Sequence, residues 1–178
     1  MLASSIALLV AGCSHRQTAD EALDATLSNM GVARVAVYPL AGKVTVDGQP
    51  PQLAQRRQKI FVVLNDPARP DVQPLERPFV ACNADGEFAF RTYDMRDGVK
   101  PGNYVLTFAQ LTDAGKRGIL GPDGLKNLYN DPDKSEFPIV HQEPGRTDYV
   151  FDLKIEGREA APAGRRAFQG AGELKYDR

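Results

Sequence analysis

Histidine and cysteine are scarce in this chain, two of each among 178 residues, and neither a Cys-x-x-Cys nor a His-x-x-x-His spacing occurs. A metal centre built from such pairs is not expected, and no cofactor is expected. There is no Gly-x-Ser-x-Gly elbow. A Ser-His-Asp triad would have to recruit His141, because His15 lies in a polar stretch near the N-terminus. His141 falls at the end of an apolar run and reads as a solvated or edge-strand histidine. Basic excess is also lacking: 22 Lys and Arg stand against 23 Asp and Glu, which argues against nucleic acid as a partner. No apolar run approaches the ~20 residues that a membrane-spanning helix needs.

One short apolar stretch does stand out. Ile6 to Val10 is followed by Ala11-Gly12-Cys13. An apolar core, then small residues, then cysteine is the pattern of a lipobox, the cleavage and lipidation signal of bacterial lipoproteins. It makes residues 1–13 a signal peptide ending at a lipidated Cys13. Such proteins carry several acyl chains, and each buried CH2 adds roughly 0.8 kcal/mol, so the anchoring would be stable. The expected partner is then a membrane, and the expected location the cell envelope, on its outer-membrane or periplasmic side. No Lys or Arg precedes the apolar stretch, a gap that a start upstream of Met1 would fill. With Cys13 acylated, Cys82 has no disulfide partner, and its neighbours Phe79, Val80 and Ala81 make it a buried, inert strand residue.

Residues 14–33 read as a tether with a short helix. Thr18 and Glu21 have capping-box spacing, apolar residues recur at Leu23, Leu27 and Met30, and Gly31 can close the helix. From Val32 the periodicity changes to two. Val35 and Val37 alternate with Ala36 and Tyr38, and Val44 and Val46 with Lys43, Thr45 and Asp47. Lys59 to Leu64 is apolar on both faces, as a central strand is. Asn83-Ala-Asp-Gly86 between Phe79–Cys82 and Glu87–Arg91 is a hairpin signature, with Phe88 and Phe90 on the core side. Pro101-Gly102 opens a strand in which Tyr104, Leu106 and Phe108 point one way, and Tyr149, Phe151 and Leu153 alternate in the last strand. The expected architecture is all-β: a single antiparallel Greek-key β-sandwich of about seven strands over residues 34–156. Residues 157–178 lack periodicity and read as a disordered tail.

Several motifs in order resemble one family. Gly42-Lys-Val-Thr-Val-Asp-Gly-Gln-Pro50, Asn83-Ala-Asp-Gly-Glu-Phe88 and Pro101-Gly-Asn-Tyr104 are similar to the turn motifs of bacterial carboxypeptidase-regulatory-like domains, which are transthyretin-like sandwiches. Tyr129 to Ser135 and Pro144 to Leu153 are similar to the close of small planctomycete-type lipoproteins with this domain. The resemblance spans residues 42–154 and implies a membrane-anchored, non-catalytic module. Transthyretin-like hydroxyisourate hydrolases use several histidines and a C-terminal Tyr-Arg-Gly-Ser; this chain ends Tyr176-Asp-Arg178 and has neither.

Loop carboxylates are the remaining candidates for chemistry. Asp94 with Asp97, and Asp131 with Asp133, lie close in sequence, and a carboxylate-dependent hydrolase or accessory domain acting on envelope polysaccharide would need such a pair. Asn130 to Asp133 and Asn83 to Asp85 place hard oxygen ligands on loops, as a calcium-stabilised adhesive domain would. Turn formation is the plainer role for both sets. The basic runs Arg56 to Lys59 and Arg165-Arg166 read as solvated loops, and the insertion at 111–134 reads either as a binding loop or as a cover for a sheet edge. The expected function is therefore binding, to an envelope protein or polysaccharide, without catalytic residues.

Overall fold

The computed structural model describes residues 18–53, 58–73, 76–111 and 122–161. The chain divides into two compact units, one ending at Val35 and the other beginning at Ala36. The first holds helix α1, Ala19–Asn29. Its capping box forms as the sequence implies: Thr18 Oγ1 accepts the Glu21 N–H at 3.3 Å, and Glu21 Oε2 accepts the Thr18 N–H at 2.8 Å. Gly31, at φ +67, ends the helix, and the Arg34 guanidinium folds back onto Asp20 at 2.9 Å and Asp24 at 3.2 Å. No residue of α1 is buried, and no helix among the described residues is long and apolar enough to cross a membrane.

The second unit is mostly β. Its strands are β1 Leu40–Val46, β2 Lys59–Asn65, β3 Phe79–Ala81, β4 Glu87–Ala89, β5 Gly102–Leu111, β6 Pro138–His141 and β7 Arg146–Leu153. They form a three-stranded sheet, β4-β1-β7, and a four-stranded sheet, β3-β2-β5-β6. Strand β2, paired on its two edges with β3 and β5, buries residues of both faces, Ile60, Val62 and Leu64 on one and Val63 on the other. Leu40, Val44, Phe88 and Phe151 from the smaller sheet join Ile60, Val62, Leu106 and Phe108 from the larger in one core. The Phe108 and Phe151 rings meet across it at 5.5 Å. Burial of side chains this size contributes roughly 1.5–3 kcal/mol each, and that drives the two sheets to share their apolar faces.

Several expectations need correction. The sheets are not wholly antiparallel: β1 and β7 pair in parallel, with Val44 opposite Phe151 and Val46 opposite Leu153. Parallel neighbours need a long crossover, usually a helix; here the chain of the other sheet supplies it. The turn at Asn83–Gly86 forms, but the strands on either side do not make a hairpin. Strand β3 pairs with β2, and β4 pairs with β1. The turn therefore carries the chain from one sheet to the other. Its Gly86, at φ +81, sits where a Cβ would collide with the Val44 carbonyl, so only glycine fits. The alternating run that begins at Val32 yields no strand before Leu40. Tyr38 makes one isolated bridge to Val99, and Pro39 then interrupts.

Two further segments are more ordered than the sequence suggests. Within the 111–134 insertion, Leu125, Tyr129 and Asn130 are buried, and Phe108 donates its N–H to the Tyr129 carbonyl at 2.8 Å. At the head of the expected tail, Ala161 N–H donates to the Lys126 carbonyl at 2.9 Å. Lys126 Nζ in turn donates to the Arg158 carbonyl at 2.8 Å.

Candidate functional site

Strand alternation fixes the outer surface of the smaller sheet. Because Leu40, Val44, Phe88 and Phe151 point inward, Ala41 and Lys43, Glu87 and Ala89, Asp148 and Val150 point out. Across the strands Ala41 stands opposite Ala89, and Lys43 opposite both Glu87 and Val150. Two alanines side by side leave a depression. It is an open groove of about 670 Å³, within the size range of small-ligand sites. Arg91, Met95 and Arg96 border it on one side, Asp148 and Tyr149 on the other.

The loop carrying Arg91 and Arg96 is held from within. Asp97 Oδ1 accepts the Thr92 N–H at 2.7 Å, and its Oδ2 accepts the N–H groups of Tyr93 and Asp94 at 2.8 and 3.0 Å. Burial opposes ionisation of Asp97, but the backbone donors outweigh it and keep the carboxyl below its ordinary range. Thr92 Oγ1 donates to the Gly98 carbonyl at 2.7 Å and closes the base of the loop. Within this frame Arg96 adopts φ +64, a left-handed conformation unfavourable for a side chain of its size. The side chain is thus displayed at a backbone cost that the Asp97 bonds sustain.

The charges along the groove are unequally balanced. Asp148 is paired with Arg146 at 2.6 Å, and Glu87 accepts the Asn83 side-chain N–H at 3.0 Å. Among the described residues no ion pair engages Lys43, Arg91 or Arg96. Arg91 and Arg96 are exposed, and Met95 and Val150 are 78% and 70% exposed beside them. Tyr149, half-buried, alternates to the inward side with Phe151, and its ring is engaged twice. It stacks on Phe151 at 5.8 Å and 11°, and the Arg146 guanidinium lies 4.5 Å from its centre.

The residues singled out in the sequence fall elsewhere. Cys13 and His15 lie outside the described residues, as do Arg56, Arg57, Arg165, Arg166 and the stretch 112–121 of the insertion. Cys82 is buried at 5% exposure, and burial pushes its thiol up to about 12. His141 lies on an outer strand but is not solvated; it is 2% exposed. Its Nε2 is 3.0 Å from the Tyr38 carbonyl and 3.2 Å from the Val99 carbonyl, while its Nδ1 is buried without a partner. The two carbonyls make Nε2 the donor.

The candidate carboxylates form turns. Asp94 Oδ1 accepts the Met95 N–H at 2.6 Å, Asp131 Oδ1 the Asp133 N–H at 3.1 Å, and Asn83 Oδ1 the N–H groups of Asp85 and Glu87 at 3.0 and 2.8 Å. Asn130 is buried, with its amide donating to Asp123 at 3.1 Å and Asn127 at 3.0 Å. No group of three metal-ligating His, Cys, Asp or Glu side chains occurs among the described residues. The arginine-bordered groove was not visible in the sequence. Its one local signal is the Arg91 to Gly98 turn, rich in Asp and Arg, which reads as a loop and gives no hint of the face it borders.

No protein family, curated protein or solved structure matches the chain.

Proposed function

We propose that this is an exported lipoprotein, lipidated at Cys13, that presents a non-catalytic binding module at the cell envelope. The observation that carries the reading is Ala11-Gly12-Cys13 directly after the apolar stretch Ile6 to Val10. Acyl chains on Cys13 would hold the chain at a bilayer. Residues 14–33, including α1, would serve as the spacer.

For the body, the proposal is a transthyretin-like Greek-key sandwich. The sheet orders β4-β1-β7 and β3-β2-β5-β6 support it, because strands distant in sequence lie side by side and one core joins both sheets. The loop carboxylates support a binding role over hydrolysis: Asp94, Asp97 and Asp131 accept backbone N–H groups of their own turns. The open, arginine-bordered groove gives the module a surface with which to bind.

The test is the intact mass of the N-terminal peptide from the full chain expressed in a bacterium and recovered from membranes. The expected product begins at Cys13 and carries acyl chains, and Cys13→Ser abolishes both the processing and the membrane retention. An uncleaved N-terminus in the soluble fraction would overturn the reading.

A further inference from the structure

We infer that the groove on the outer face of the β4-β1-β7 sheet binds an extended acidic peptide segment of another envelope protein, with Arg91 and Arg96 taking its carboxylates. The inference deepens the binding-module reading and rests on it for where the partner is met. Three observations on the groove carry it.

The first is charge. Of the groove's two acidic side chains, Asp148 is paired with Arg146 at 2.6 Å, and Glu87, which accepts the neutral Asn83 amide at 3.0 Å, stands opposite Lys43 across the strands. Arg91 and Arg96, both exposed, have no ion-pair partner among the described residues. Guanidinium groups bind carboxylates through two parallel hydrogen bonds, stronger than neutral ones. Lys43, Arg91 and Arg96 outnumber Glu87 and Asp148 along the groove, so the balance of charge favours an anionic ligand over a cationic one.

The second is shape. The floor is made by Ala41 and Ala89, which face each other across β1 and β4, with Val150 and Met95 exposed alongside. Small side chains let a backbone approach closely, and the flanking apolar groups suit alternate small apolar side chains of an extended segment. The backbone that carries Arg96 is also held in place: the Asp97 bonds to Thr92, Tyr93 and Asp94 fix the loop, with Arg96 at φ +64, so the loop itself need not be ordered on binding.

The third separates a peptide from a sugar. Acidic polysaccharide would satisfy the arginines equally well, but sugar rings call for an open aromatic face. Tyr149 and Phe88 alternate to the inward side of their strands, where Tyr149 stacks on Phe151 and Phe88 is buried, so neither ring faces the outer groove. The groove thus offers charge and apolar floor without a stacking platform.

The test is fluorescence anisotropy with the purified full chain and a fluorescein-labelled peptide of alternating Glu and Val. The expected result is saturable binding that weakens with salt, with no binding of the matching Lys-Val peptide. Arg91→Glu with Arg96→Glu should weaken binding by roughly tenfold or more. Arg96→Gly separates binding from folding, because it removes the guanidinium and relieves the left-handed backbone. It should bind several-fold more weakly while its melting temperature does not fall. Equal affinity for the Lys-Val peptide, affinity unchanged by these variants, or tighter binding of oligogalacturonate than of the Glu-Val peptide would overturn the inference. Each of those outcomes leaves the lipid at Cys13 untouched, since that is read by mass.

Discussion

Gly42 and Tyr149 stand opposite each other in the parallel pair β1 and β7, with no room for a methyl group between them. A Cβ at Gly42 would collide with the Tyr149 carbonyl and come within 2.8 Å of the Tyr149 Cβ. Both obstacles are fixed by the strand ladder, so neither can turn aside. Gly42→Ala should therefore destabilise the body by about 1–3 kcal/mol, as overpacking does. Chemical denaturation is the measurement, and a midpoint equal to that of the parent chain would refute the close approach.

His141 ties β6 to the bridge between Tyr38 and Val99. Its Nε2 reaches both carbonyls, at 3.0 and 3.2 Å, and each carbonyl also accepts a backbone N–H of the bridge. Losing the imidazole leaves neither carbonyl wholly unpaired. His141→Phe should then cost about 1–2 kcal/mol, near the value of one hydrogen bond plus imperfect packing. His141→Gln, which restores a donor, should recover part of the loss. Equal losses in the two variants would show that the contact is packing alone.

Asp152 should make the body acid-sensitive. Lys154, the Gly48 N–H and the Thr45 hydroxyl hold its carboxyl down at about 2. An unfolded chain titrates an aspartate near 3.9. A lowered folded pKa gives stability that is complete above the unfolded value and lost as the pH falls through the folded one. Asp97, also lowered, acts in the same direction. Asp123 opposes them: burial pushes it up, so its protonation favours the folded state and offsets part of the acid loss. Urea midpoints should be flat at neutral pH and decline from about 4 towards about 2. Asp152→Asn should reduce that decline; a variant with the same acid slope would show that Asp152 contributes none of it.

Cys82 should be unreactive while the body is folded. With its thiol at about 12, only about one molecule in ten thousand carries the thiolate at pH 8, and burial blocks access as well. In the Cys13→Ser chain, a disulfide reagent should label nothing in native buffer and label one thiol per chain in denaturant. Rapid native labelling would contradict the buried position.

Much of the body was legible in the sequence because its signals are local. The Thr18–Glu21 capping box, the two-sided apolar run of β2, the alternation of Tyr149, Phe151 and Leu153, and the inward Phe88 and Phe90 all appear where their spacing puts them. Such patterns report how each segment divides core from water, and that division survives folding. The hairpin reading at Asn83–Gly86 failed for a related reason: a turn motif encodes a reversal of direction, but not which strand pairs with the next.

The amino-acid order alone determined the helix ends, the turn positions and the apolar faces of the strands. Tertiary structure decided the parallel pairing of β1 with β7, the burial of His141 and of Tyr129, and the groove that joins Ala41, Ala89, Arg91 and Arg96. Those features depend on residues far apart in the chain. They exist only once two sheets share one core, because a local pattern fixes which way a side chain points, and only packing fixes what it meets.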